Sequence, residues 1–393
     1  MSEPVGHGQR LRRGWLSAGR RPSPVRPPLT VVGGVHQHAH DGLPRLRVAM
    51  VAPLYFGAPS VADGGIDAVI ADLVDALVGR GHEITLVGAW RHATIAQRFI
   101  ATYQTGFADQ RGDRMPELVY AAKVAAVLRA INVDVIHDHT VTGPLVADGR
   151  QLATVVTVHG PVDGERAEFY RKLGEDARLV ATSDAQRSAA PDLPWTATIR
   201  NAIRAEMFPF RTERRDYALF LGRFHPEKAP HLAIDAARAA GVPIVLAGKC
   251  SEPDEQAYFR REIEPRIDSR VTIFGGADSK AKRTLLAQAA CLLLPVTQDK
   301  PFGSVVIEAM VCGTPVVALR RRAVPEPIVH GQTGIIVDDP VDLAHGITQA
   351  WQLDPALCRK HVESFTIQVM AASYEAVYRQ ALSAARLPLR APR

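Results

Sequence analysis

The stretch Pro301-Phe302-Gly303-Ser304-Val305-Val306-Ile307-Glu308-Ala309-Met310 runs on through Cys312-Gly313-Thr314-Pro315 to Val316-Val317-Ala318. It reads as a loop, a short helix and a buried strand. One carboxylate, Glu308, stands in an otherwise apolar helix. Burying an unpaired charge costs on the order of several kcal/mol, so Glu308 is expected to face a cleft and a polar ligand. Eight positions upstream, where a second acid would be sought, the residue is Lys300.

Working outward, the same alternation of strand, loop and helix recurs along the chain. Order is expected from about Leu46, with Arg47–Ala52 as the first buried strand. A loop ending in Asp63-Gly64-Gly65 follows it. Next comes a helix whose apolar positions Ile66, Val69, Ile70, Leu73 and Leu77 share one face. Strand, Gly loop, helix and strand make a βαβ unit and imply a parallel sheet. Further strands are expected at Val133–Ile136, Thr154–Val158, Leu179–Ala181 and Thr196–Arg200. Each runs into a polar cluster, the edge of an open α/β sheet where ligands bind.

A charged stretch without periodicity, Phe208–Asp216, reads as a linker. The alternation then restarts with Ala218–Leu221. It continues with a helix over 231–240, strands at 242–247, 271–274, 291–294, 315–319 and 335–337, and an amphipathic helical end near 361–386. The expected fold class is therefore α/β, with two Rossmann-like domains facing each other across a cleft. The expected divisions are a tail (1–44), a first domain (45–212), a second domain (213–360) and a C-terminal helix (361–393).

Bulk properties narrow the classes of function. At 393 residues and 47% hydrophobic the chain can bury two cores, and it has no apolar run long enough to span a membrane. Of its net charge of +6, residues 1–44 hold +4, from six Arg against Glu3 and Asp41. The remainder is nearly neutral, which gives no case for nucleic acid as a partner. The tail reads as unstructured; the alternative is a basic arm touching an anionic membrane surface. Four Cys without paired spacing suggest reduced thiols and a cytoplasmic location.

Several residue groups can carry chemistry. Gly64-Gly65 before a helix N-terminus lets backbone N–H groups approach a phosphate, or is simply a tight turn. Arg223 and Lys228, five residues apart on a strand-end loop, could clamp a diphosphate, the one as a planar fork and the other as a point charge. The alternative is a solvated loop in which Arg223 pairs with Glu227. His159 follows an apolar strand and is either a ligand group or a satisfied structural residue. His137 and His139 flank Asp138 without a third convergent metal ligand. Asn201 either turns its amide into the cleft or ends a strand. No GxGxxG follows a strand and there is no GxxxxGK[ST], which disfavours dinucleotide dehydrogenases and P-loop NTPases.

Taken together, the segments resemble the family-4 retaining glycosyltransferases of the GT-B fold. The resemblance rests on Asp63-Gly64-Gly65-Ile66-Asp67, Val135-Ile136-His137-Asp138-His139 and Thr157-Val158-His159-Gly160. It also rests on Leu221–Lys228, the 301–317 stretch, Val324-Pro325-Glu326 and Gly331-Gln332-Thr333-Gly334. It covers nearly the whole ordered chain, and its weight lies in the order and spacing of the motifs.

The resemblance implies a nucleotide-sugar donor and a small-molecule or lipid-linked acceptor, with no metal or other cofactor. Arg223 and Lys228 would hold the diphosphate and Glu308 the ribose. Gly303 and Ser304 would offer backbone N–H groups. Gly64, Gly65, Asn201, Lys300 and Phe302 complete the implied donor set, and His159 would face the sugar. With Arg223 and Lys228 it forms the implied catalytic group. The acceptor would be bound by loops 53–63 and 88–118.

Three departures from the family pattern stand out. Lys300 replaces the first Glu of the acidic motif, and Lys cannot accept a hydrogen bond. Asn201-Ala202 replaces Asn-Gly, and Asp67 replaces Glu. Lys300 either alters the preferred donor sugar, is compensated by Asp299, or marks a chain that binds sugar nucleotides or a partner without turnover. A sugar-nucleotide epimerase is a further alternative.

Overall fold

The computed structural model describes residues 44–55, 65–91, 93–103, 115–146, 152–173, 177–276, 278–297, 304–321 and 324–385. They form two all-parallel sheets flanked by helices.

The first sheet has seven strands: β1 (Arg47–Val51), β2 (Glu83–Gly88), β3 (Arg98–Ala101), β4 (Val135–Asp138), β5 (Ala153–Val158), β6 (Ala177–Ala181) and β7 (Trp195–Thr198). Their spatial order is β3-β2-β1-β4-β5-β6-β7. Its helices are α1 (Gly65–Gly79), α2 (Met115–Ala130), α3 (Gly164–Lys172) and α4 (Asp184–Ala189). β1, β4 and β5 are almost wholly buried, as expected of Val-rich strands covered on both faces. α1 buries Val69, Ile70, Leu73 and Leu77 as its periodicity demands, while Ile66 at its start stays exposed. The helix stops because Gly81 adopts φ +87°. That left-handed residue lets the N–H of His82 reach the carbonyl of Leu77 and its own N–H reach Val78, which caps the last turn.

The second sheet has six strands: β8 (Ala218–Leu221), β9 (Ile244–Gly248), β10 (Val271–Gly275), β11 (Cys291–Leu294), β12 (Val316–Leu319) and β13 (Gly334–Val337). Their order is β10-β9-β8-β11-β12-β13. The helices are α5 (Pro230–Ala239), α6 (Pro253–Tyr258), α7 (Ser279–Gln288), α8 (Ser304–Val311), α9 (Leu343–Ala350) and α10 (Pro355–His361). The fold-deciding stretch is helix α8, a turn, and β12. Gly313 makes that turn at φ +87°, where a Cβ would lie 2.7 Å from the Arg211 carbonyl oxygen.

The chain ends in α11 (Ile367–Ala385), which leaves the second sheet and packs against α1 and β5 of the first. The helical end expected over 361–386 is therefore interrupted. α10 closes at His361, a 3₁₀ turn spans Val362–Phe365, and α11 begins two residues later. Met370, Tyr374, Val377, Tyr378 and Ala381 enter the first core. The two crossings between the halves run side by side, with the Ile203 N–H donating to the Phe365 carbonyl at 3.1 Å. None of the described helices is long and apolar enough to cross a membrane.

Candidate active site

In each sheet the strand order reverses at one place, between β1 and β4 and between β8 and β11. Loops leaving the strands there diverge and open a crevice. The residues singled out above gather at these two points.

At the second switch point β8 runs into Gly222-Arg223. Gly248 at the end of β9 approaches so closely that a Cβ on it would overlap the Gly222 carbonyl. The half-exposed Arg223 guanidinium is held from behind by two buried carboxylates. Nη2 donates to Glu227 at 2.9 Å and Nη1 to Glu255 at 3.2 Å. Glu255 is itself fixed by the backbone N–H groups of Ser251 and Glu252 at the start of α6. The expected alternative of a plain Arg223–Glu227 pair is thus half of the arrangement. Glu255 was not identified from sequence, although Glu252-Pro253-Asp254-Glu255 has the form of a helix start. Two of the five guanidinium N–H groups are used in these bonds. Lys228 closes the 3₁₀ turn Pro226–Lys228 further along the same loop, half-buried, one residue before Ala229. Ala229 holds the left-handed conformation (φ 48°, ψ 49°), costly for a side chain with a Cβ. The N–H of Thr297, in the loop after β11, donates to the Glu227 carbonyl at 3.1 Å and ties the two crevice loops together.

Glu308 lies in the second turn of α8, buried, with Oε2 2.6 Å from Lys282 Nζ of α7. Its burial is therefore matched inside the protein by a cation. The expectation drawn from its lone position in an apolar helix lacked this internal counter-charge. Lys282 is 26 residues away on another helix, and no local pattern points to it. Ser304 opens α8 and is half-buried. Asn201 is half-buried in the connection after β7. Gly65 is the first residue of α1. Gly64, Lys300, Phe302 and Gly303 lie outside the described residues, as do most of loop 53–63 and much of loop 88–118. The latter also contains β3, an unforeseen edge strand.

At the first switch point, and one strand beyond it, three histidines stack. The ring centroids of His137 and His139 are 4.1 Å apart and those of His139 and His159 5.1 Å. His137 is structural: Nδ1 lies 2.7 Å from the Tyr378 hydroxyl and Nε2 2.7 Å from Thr157 Oγ1, which in turn meets the Tyr374 hydroxyl at 2.9 Å. His139 bridges His159 Nε2 (2.8 Å) and Met50 Sδ (3.1 Å). These contacts occupy both nitrogens of the His137 and His139 rings and Nε2 of His159, and no cluster of three metal-ligating side chains occurs among the described residues. Burial holds all three imidazoles neutral at pH 7, bringing His137 down to about 3 and His159 to about 4. The His159 turn is braced by Gln186 of α4, whose amide donates to the carbonyls of Val158 (2.8 Å) and Gly160 (2.6 Å).

α4 also joins the halves. Glu326 of the second half accepts the backbone N–H groups of Asp184 (3.0 Å) and Ala185 (2.7 Å), and Arg200 pairs with both Asp184 and Glu326. The brace behind His159 is thus in direct contact with the domain carrying Arg223 and Glu308. The second half thus carries two cations and a paired carboxylate at its switch point, and the first half neutral imidazole beside its own. These side chains can take an anionic group and a polyhydroxylated neutral group.

Comparison with known proteins gives a consistent picture. The family profile described as "Glycosyl transferases group 1" matches residues 204–364, and that described as "Glycosyltransferase Family 4" matches 63–219. The D-inositol 3-phosphate glycosyltransferase of Mycolicibacterium smegmatis is 32% identical over 223 residues, 51% of this chain. The matched stretch spans about half the length of that relative (50%). The glycogen synthase of Mycobacterium tuberculosis is 26% identical over 87% of this chain and 97% of its own. Anabaena Alr3699/HepE, solved in complex with UDP-glucose, shares the fold, with a TM-score of 0.66 at 18% identity over 86% of this chain and 100% of that one.

Proposed function

The chain belongs to the group 1 glycosyltransferases of GT-B fold, and we propose that it moves a sugar from a nucleotide-diphosphate donor to an acceptor hydroxyl with retention of anomeric configuration. The observation that carries this reading is Arg223, half-exposed and fixed by two buried carboxylates, five residues before Lys228 on the loop that leaves β8. In this reading the departing group is a nucleoside diphosphate. Charge builds on its oxygens as the glycosidic bond breaks, and preorganised cations lower the barrier because they need not reorganise. Arg223 and Lys228 supply that charge in place of a metal. The backbone of Ser304, the first residue of α8, and of Gly303 before it in sequence offers N–H groups to the phosphates. Glu308 accepts ribose hydroxyls, and His159 and Asn201 meet the sugar. The acceptor, a small molecule or lipid-linked sugar, enters from the first half.

A UDP-glucose complex in a protein of the same fold makes UDP-sugars the first donors to try. Isothermal titration with UDP and UDP-glucose, paired with an assay of donor hydrolysis and transfer, tests the reading. Arg223→Met is expected to weaken nucleotide binding at least about tenfold, the scale of a lost charge-assisted bond. Equal affinity in the two proteins would overturn the assignment. Lys300→Glu, run against a panel of nucleotide sugars, tests whether Lys300 sets donor preference; identical donor profiles would sink that idea.

A second reading is favoured by the Lys282–Glu308 pair together with Lys300. Lys300 puts a cation at the first Glu position of the family motif, and Lys282 puts one against Glu308 at the second. Here the chain binds sugar nucleotide without turnover. Tight binding of UDP-glucose with neither hydrolysis nor transfer across an acceptor panel would favour it.

A further inference from the structure

The contacts of the buried histidines determine where their protons lie. His139 Nε2 is 3.1 Å from Met50 Sδ, and its Nδ1 is 2.8 Å from His159 Nε2. A thioether sulfur carries lone pairs and no proton, so an N–H must face it. A bare nitrogen there would oppose lone pair to lone pair in a dry interior. Met50 and His139 are both buried, and burial lowers the His139 pKa well below its ordinary value, so the ring holds a single proton. That proton is on Nε2, which leaves Nδ1 bare. The 2.8 Å contact between the two rings is then a hydrogen bond only if His159 Nε2 donates. His159 is also neutral, so its one proton is used in that bond.

We propose that Met50 and His139 are positioning residues that fix His159 in the Nε2–H tautomer and make its Nδ1 an obligate hydrogen-bond acceptor. That Nδ1 is buried and has no hydrogen-bond partner among the described residues. His159 lines a cavity of about 50 Å³ together with His139, Thr140, Gly160, Arg166 and Tyr170. Nδ1 is closed to solvent in this structure, and a group that reaches it by way of the cavity must bring a proton of its own. The Arg166 guanidinium lines the same cavity and disfavours an ammonium, which leaves a neutral donor, here taken as a hydroxyl. That this hydroxyl belongs to a sugar is the one clause that rests on the transferase reading. With no proton on Nδ1, His159 acts there as an acceptor and not as a general acid.

The test is a long-range ¹H–¹⁵N correlation spectrum of the full chain at neutral pH, with His159 identified by its loss in His159→Gln. Nδ1 of His159 is expected in the unprotonated range and Nε2 in the protonated range. Met50→Leu keeps the volume and removes the sulfur. It is expected to shift the tautomer ratios of His139 and His159 by roughly fivefold, the scale of one net hydrogen bond. A protonated Nδ1 in the unsubstituted protein, or an unchanged ratio in Met50→Leu, overturns the proposal whatever the activity. For the ligand clause, UDP-glucose analogues with single hydroxyls replaced by fluorine are titrated calorimetrically. One position is expected to lose about tenfold in affinity, with the loss abolished in His159→Ala. Equal affinity for every analogue overturns the ligand clause alone, since the spectra decide the tautomer independently.

Discussion

Glu308 reaches the second crevice as one member of an ion pair, with Lys282 Nζ 2.6 Å from its Oε2. The carboxylate is buried and the lysine side chain is one-third exposed. Removing the lysine leaves the acid without its counter-charge in apolar surroundings. Lys282→Met is expected to cost about 1–3 kcal/mol, read as a lower urea midpoint. Lys282→Met with Glu308→Gln should recover most of that loss, because no charge is then left unpaired. A double variant no more stable than the single one would show that the pair does not govern the site. At this scale the chemistry-bearing residues were legible from their neighbours in sequence. Arg223, His159 and Glu308 each stand just after an apolar strand or within an apolar helix, where a polar group draws notice, and Lys228 follows Arg223 on the same loop. Their partners Lys282, Glu255 and Met50 were not, since each comes from a different element.

α11 shows how one element can be pinned by polar groups as well as apolar ones. Its Tyr378 and Tyr374 hydroxyls meet His137 and Thr157 inside the first core, and burial pushes both phenols up. Tyr378→Phe leaves His137 Nδ1 buried without a partner, and a loss of about 1–3 kcal/mol is expected in chemical denaturation. Glu375 on the same helix accepts from Arg80 (2.7 Å) and Arg379 (2.6 Å) and lies 3.4 Å from His82. Burial would raise its pKa, but the bonds from Arg379, Arg80 and His82 outweigh it and bring the carboxyl down to about 2. A depressed carboxyl stabilises the fold above its unfolded value and loses that contribution as pH falls through the folded one. The stability advantage over Glu375→Gln should therefore be full at pH 6 and shrink between about pH 5 and 2, as followed by thermal melts. A pH-independent difference would contradict the assignment. α1 was readable from periodicity through Val69, Ile70, Leu73 and Leu77, although every residue from Val69 to Leu77 is buried. α2 was not, because its buried face relies on Ala121 and Ala125 between Tyr120, Val124 and Leu128. The i, i+4, i+8 spacing of the larger three is the signal that could have found it. β3 escaped because a four-residue, partly exposed edge strand has no pattern of its own.

For the whole molecule, the decisive contact is Glu326 on the N-terminus of α4, with Arg200 completing the bridge. It joins the halves at the brace behind His159. Glu326→Ala is expected to make the closed arrangement about 1–3 kcal/mol less favourable. Small-angle scattering of the unliganded chain should show a larger radius of gyration with little change in thermal midpoint. An unchanged profile would mean that the side-by-side crossings at Ile203 and Phe365 hold the halves unaided. The sequence by itself determined the α/β class, the doubling of the parallel sheet and the strand-end positions of the polar residues. These follow from short-range periodicity and from Gly turns, which act over a few residues. Only the tertiary structure decided which charge neutralises Glu308, what holds Arg223, which proton His159 keeps and where the two halves touch. Those depend on groups far apart in the chain that meet only when helices and strands pack, and electrostatics in a buried site is set by distance in space.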